Sequence, residues 1–115
     1  LRINDLQVSA HFNLREFQCP CCHRVMVHPR LVRMLEKLRG MFGRPLILTS
    51  GYRCLPHNRD VGGVDHSLHM IGQAVDVAVM AIQQNDFTAY AVKAGFDSVL
   101  PNRMRNYVHL GIGGK

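Results

Sequence analysis

Three side chains in the second half of the chain, His69, Asp76 and His109, have the chemistry of metal ligands. Imidazole nitrogens and a carboxylate oxygen are good donors to a zinc-like cation. His69 and Asp76 belong to one stretch, Ser67-Leu-His-Met-Ile-Gly-Gln-Ala-Val-Asp76, and stand seven residues apart, too far to share one helical turn. The chain between them must fold back. Gly72 permits that turn, and Ala74 lets the backbone pack closely before a strand begins. Val75, Val77 and Val79 alternate with Asp76, Ala78 and Met80, a period that sends the valines to a core and Asp76 to the other face. In Asn106-Tyr-Val-His-Leu-Gly-Ile112 the same alternation points Val108, Leu110 and Ile112 inward and His109 away from them. An unpaired buried carboxylate is costly, so Asp76 at the inner edge of a sheet needs a cation or several donors. Two histidines and one carboxylate with a fourth position open form the donor set of a catalytic zinc site.

The surrounding elements must hold those residues in place. Residues 1–18 read as an irregular lead-in anchored by Phe12, Leu14 and Phe17, with Asn13-Leu-Arg-Glu16 in the form of a helix start. The clearest helix opens at His28-Pro29-Arg30, with Pro29 suited to its first position. Leu31, Met34, Leu35, Leu38 and Met41 or Phe42 recur every three or four residues, and Gly40 and Gly43 end the helix. Arg30, Arg33, Glu36, Lys37 and Arg39 occupy its solvated face. Pro45-Leu-Ile-Leu-Thr49 reads as a strand that delivers Ser50-Gly-Tyr-Arg53 to its end. Residues 54–66 form a short helical turn and a Gly62-Gly63 loop, and strand 74–79 follows. Asn85 or Asp86 caps a helix that runs to Gly95. Phe96–Leu100 and Tyr107–Ile112 are the last strands. This order predicts an α+β fold, a small and mainly antiparallel sheet with helices packed on one side.

At 115 residues the chain is expected to be a single domain, residues 1–115, able to bury one core. Its 47% apolar and 19% charged content fits a globular protein. No apolar run reaches the length of a membrane span, and the first residues lack the layout of a signal peptide. The formal charge of +6 favours polyanionic partners. Nucleic acid is a poor choice among them, because the arginines are dispersed and no helix-turn-helix, zinc-finger or aromatic-basic signature accompanies them.

Four motifs carry a family resemblance over most of the chain. They are Ser50-Gly-Tyr-Arg-Cys-Leu-Pro-His-Asn58, Val61-Gly-Gly-Val64, Ser67-x-His-x-x-Gly-x-Ala-x-Asp76 and Tyr107-Val-His109. In this order they resemble the M15-type zinc D-alanyl-D-alanine peptidases, a family of bacterial carboxypeptidases, dipeptidases and phage endolysins. The resemblance implies the zinc peptidase fold shared with the hedgehog signalling domain, and Zn2+ held by His69, Asp76 and His109. It implies hydrolysis of peptidoglycan stem peptides, as a D,D- or L,D-carboxypeptidase or an endopeptidase. The expected setting is the bacterial cell wall, reached by a periplasmic, secreted or phage-delivered monomer. By the same resemblance Arg53 grips a substrate carboxylate or carbonyl and supports charge in the transition state. Ser67 donates a hydrogen bond near the metal or the substrate, and His57 and Asn58 tie their loop together.

One part of the family pattern is missing. Many members carry an acidic residue three positions before the last histidine ligand, or two after it, to take a proton from metal-bound water. Those positions here are Asn106 and Gly111. A neutral amide cannot accept that proton. Asp65 and His66, close in sequence to His69, are the alternative candidates for the base. The rival reading is a catalytically impaired, zinc-stabilised wall-binding or phage structural module. The cysteines pose a separate question with three open answers. Cys19, one or both of Cys21 and Cys22, and Cys54 hold a second, structural zinc (with His23 or His57 as further donors), one or two disulfides staple the lead-in to the catalytic loop, or the thiols remain reduced.

Overall fold

The computed structural model describes residues 3–113. The lead-in forms a 3₁₀ turn at Leu14–Phe17. Asn13 closes it with a reciprocal capping box: its side chain accepts from the Arg15 amide at 3.0 Å, and Glu16 accepts from the Asn13 amide at 2.7 Å. Phe12 and Phe17 enter the core, whereas Leu14 is only partly buried.

The first helix, α1, runs Pro29–Phe42. His28 caps it, accepting from the Arg30 amide through Nδ1 at 3.1 Å. Gly43 ends it in the left-handed region at φ 75, the conformation that glycine adopts without a Cβ penalty. Gly40 stays inside the helix, contrary to expectation. Leu31, Val32, Met34, Leu35 and Leu38 are buried. Glu36 departs from the solvated face expected for it. It accepts from Ser9 Oγ at 2.5 Å and the His11 amide at 2.6 Å, and it pairs with His11 Nδ1 at 2.7 Å. A residue on the polar face of α1 therefore ties down the lead-in.

Strand β1 spans Leu48–Ser50, later than the 45–49 expected. Pro45 has no amide to give a ladder, so pairing begins only beyond it. Helix α2 follows at Leu55–Asp60, then strand β2 at Ala74–Ala78. Helix α3 spans Gln84–Ala94 and leads to strands β3, Ser98–Asn102, and β4, Tyr107–Gly111. Neither Asn85 nor Asp86 caps α3, because a 3₁₀ turn at Ala81–Gln83 runs straight into the helix and puts Gln83 at the cap position, two residues before Asn85. Gln84 is buried at that junction, and its amide nitrogen lies 3.0, 2.9 and 3.3 Å from the carbonyls of Val79, Asn102 and Tyr107.

The four strands form one antiparallel sheet in the order β1-β2-β4-β3. On one face Val75, Val77, Val108 and Leu110 pack with Leu31, Leu35 and Leu38 of α1 and Phe87 and Ala91 of α3. This is the α+β architecture expected, with the helices covering the valine face. The other face belongs to the site.

Candidate metal centre

Cross-strand register places Asp76 directly opposite His109, and Ser50 opposite Asp76 on the other side. Both site residues point away from the valine face, as alternation requires. His109 Nδ1 lies 3.1 Å from Asp76 Oδ1. His69 reaches the same oxygen from a 3₁₀ turn at Leu68–Ile71, with Nε2 3.3 Å from Oδ1. Ser67 caps that turn by accepting from the His69 amide at 3.2 Å, and Gly72 closes it at φ 70. A side chain at Gly72 would also meet the Met26 carbonyl at 2.5 Å, so the turn back into β2 needs glycine on two counts. One ligand atom from each of His69, Asp76 and His109 lies within 4.8 Å of the other two.

The protonation logic of this cluster calls for a cation. His69 Nδ1 lies 2.8 Å from the Gly51 carbonyl oxygen, a contact that is a hydrogen bond only if Nδ1 carries the proton. In a neutral ring Nε2 then bears a lone pair. It is buried, faces a carboxylate oxygen, and has no hydrogen-bond partner among the described residues. Two lone pairs at that separation repel unless a proton or a metal ion lies between them. The residues fit a metal ion well, since backbone orientation of one ring nitrogen is how a ligating histidine is usually held. Burial on its own raises the Asp76 carboxyl, but the hydrogen-bond contact with His109 and the proximity of the His69 ring outweigh it and hold the group well below the usual carboxylate range.

Arg53 completes the cluster from the loop after β1. Its Nη2 is 3.2 Å from Asp76 Oδ2, Nη1 is 3.3 Å from Asn58 Oδ1, and Nε is 3.1 Å from Ser50 Oγ. Asn58 is itself buried and donates to the Val64 carbonyl at 3.0 Å, which ties the loop as anticipated. The guanidinium thus braces Asp76 and still has N–H donors to spare.

These groups line an open cleft of about 420 Å³. One wall is the Val61–Val64 loop and the other is Leu100, Pro101 and Asn102 of β3, with Ser67 and Tyr107 also facing in. Among the described residues lining it, Asp76 is the only carboxylate. Asn106 is not in the lining. It sits in the left-handed region at φ 55 and accepts from the Ala81 amide at 3.0 Å, so its side chain serves the turn before α3. Asp65 and His66 are exposed and do not line the cleft either. At Gly111 an added Cβ would crowd Ser98 Oγ and Leu68 Cδ1, so a side chain there would require both neighbours to shift.

Two contributors lacked an assigned role in the sequence reading. Tyr107 shares the His109 face of β4 and brings a phenol into the cleft; its two-residue spacing from His109 was the available signal. The Gly51 carbonyl had none, because a backbone acceptor leaves no mark in a side-chain pattern.

A sheet face that gathers two imidazoles, a carboxylate and an arginine in one cleft defines a candidate metal centre. The Peptidase M15 family model matches residues 10–111, and the chain belongs to that family. No curated protein matches the chain. Family membership implies a metallopeptidase, a class that is typically zinc-dependent. Among the described residues no helix is long and apolar enough to cross a membrane.

Proposed function

We propose that this protein is a zinc-dependent peptidase that hydrolyses peptidoglycan stem peptides, with His69, Asp76 and His109 as the zinc ligands. The observation that carries the reading is the buried His69 Nε2, which has no hydrogen-bond partner among the described residues and faces Asp76 Oδ1 at 3.3 Å. When bound, a zinc ion would polarise a substrate carbonyl and acidify a water molecule. The chain's own residues do the positioning. The Gly51 carbonyl orients the His69 ring, and Arg53 neutralises the second oxygen of Asp76. Arg53 lines the cleft, and its remaining N–H groups suit a carboxylate or a developing oxyanion. Tyr107 also lines the cleft and offers a hydroxyl that would donate to a departing amine.

Stem peptides suit the cleft. Its rim carries the exposed apolar side chains Val61, Val64 and Leu100, which match small apolar residues such as alanine. The net charge of +6 favours an anionic wall, where the protein would work as a single-domain monomer delivered to the periplasm, outside the cell or by a phage. Incubation with purified peptidoglycan, followed by mass analysis of the products, tests the reading. Release of a terminal residue shows a carboxypeptidase, and release of crosslinks or whole stems shows an endopeptidase. A second reading is favoured by one observation: Asp76 is the only carboxylate lining the cleft among the described residues. A zinc-stabilised wall-binding module without a general base would bind sacculi and leave every stem peptide intact.

A further inference from the structure

The four cysteines come from two segments remote in sequence, yet their sulfurs converge. Cys19 Sγ lies 3.5 Å from Cys21 Sγ and 3.6 Å from Cys54 Sγ, and Cys21 Sγ lies 3.2 Å from Cys54 Sγ. With Cys22, all four sulfurs fall within 4.8 Å of one another, and all four thiols are free. Four thiolates around one ion at about 2.3 Å stand about 3.8 Å apart. The observed spacing approaches that tetrahedron. Neither His23 nor His57 belongs to the group, and four sulfurs complete it without them.

The backbone is shaped for the same purpose. Cys19-Pro-Cys-Cys22 turns sharply, with the Cys19 amide donating to the Arg24 carbonyl and the His23 amide to the Cys19 carbonyl, both at 2.8 Å. His23 adopts φ 61, an uncommon conformation for a residue with a Cβ. Cys54 occupies the cap position of α2 but makes no capping bond with its side chain, which leaves its sulfur free for the cluster.

We propose that Cys19, Cys21, Cys22 and Cys54 bind a second metal ion, a zinc or ferrous ion in a closed structural site. The ion displaces the thiol protons to solvent and leaves no coordination position open. It clamps the amino-terminal segment to the loop that carries Arg53, Cys54 being the next residue. The same two segments already meet where the Tyr52 amide donates to the Phe17 carbonyl at 2.7 Å. This inference does not depend on the peptidase reading.

Elemental analysis and native mass of protein purified under reducing conditions test it. Two metal ions per chain are expected, and the same analysis identifies the second as zinc or iron. Cys22→Ser and Cys54→Ser each lose one ion and keep the other, whereas His69→Ala loses only the other. Should the serine variants fail to fold, cobalt exchange into the unmodified protein decides. A thiolate-to-cobalt charge-transfer absorption that persists in His69→Ala is the expected result. Lack of that absorption, four thiols that react freely in the folded protein, or disulfides found by mass would each overturn the site.

Discussion

His69 and Gly51 are joined by a contact of 2.8 Å between Nδ1 and the carbonyl oxygen, and this fixes which ring nitrogen faces Asp76. The carbonyl is held in turn by close packing, because a Cβ at Gly51 would lie 2.6 Å from the Phe17 Cα. Gly51→Ala must therefore shift the loop or the lead-in, and the carbonyl moves with it. Loss of such an orienting partner weakens metal affinity by about 10–100-fold. Competition with a chelator of known affinity measures this, and unchanged affinity would separate Gly51 from the site.

Arg53 is expected to matter for turnover more than for holding the ion. Arg53→Ala should lower catalytic efficiency by roughly 2–4 kcal/mol, while zinc remains stoichiometric when the metal is in excess. Arg53→Lys should recover little, because a point charge cannot replace a fork that reaches Asp76, Asn58 and Ser50 together. Steady-state kinetics on a synthetic stem peptide, with metal analysis of the same samples, checks both parts. Full turnover by Arg53→Ala would remove the role.

The proton-handling groups can be separated by two variants. Asn106→Asp should change hydrolysis by less than about threefold, since aspartate can take the same left-handed position and the same bond from the Ala81 amide. Tyr107→Phe should lower kcat by at least about tenfold without loss of metal, in keeping with the scale of acid–base catalysis. A large gain in Asn106→Asp would show that residue 106 turns into the cleft and that its carboxylate is the missing base.

Asp76 gives the metal-free protein an acid-sensitive stability. Its folded pKa is lowered, so its contribution is complete above the unfolded value of about 3.9 and is lost as the pH falls toward the folded value. The Tm of chelated protein should therefore drop below about pH 4. Asp76→Asn should flatten that drop, and the remaining slope comes in part from Glu36, whose carboxyl is lowered by Ser9 and His11 against the effect of burial. Thermal melts from pH 3 to 6, chosen to span the carboxylate range of about 4, would show it.

Gln84 supports the sheet from beneath the β3–β4 turn. Gln84→Ala removes a buried donor shared by three carbonyls and should destabilise the fold by about 1–3 kcal/mol. Denaturant unfolding measures the loss. A change near zero would mean that water satisfies those carbonyls equally well.

Much of this molecule was legible in local patterns. Alternation of Val75, Asp76 and Val77, and of Val108, His109 and Leu110, assigns residues to faces because successive strand side chains point opposite ways. Pro29 and Gly43 mark the bounds of α1 through backbone constraints that act within one or two residues. The site residues His69, Asp76, His109 and Arg53 were each nameable from residue type and motif. Their meeting at one carboxylate was decided by register, which set His109 rather than a neighbour opposite Asp76. Register depends on packing between strands far apart in the chain, and no window of sequence contains both. The same limit hid the start of α3, where burial of Gln84 against the distant carbonyls of Asn102 and Tyr107 prevailed over the capping preference of Asn85 and Asp86. It also hid the bond between Glu36 and the lead-in, and it left the cysteines ambiguous until Cys54 was brought to the Cys19–Cys22 turn. Sequence by itself determined which side chains could do chemistry and which way each would face. Tertiary structure alone decided which of them touch, because contact energies between remote segments depend on the whole packed core.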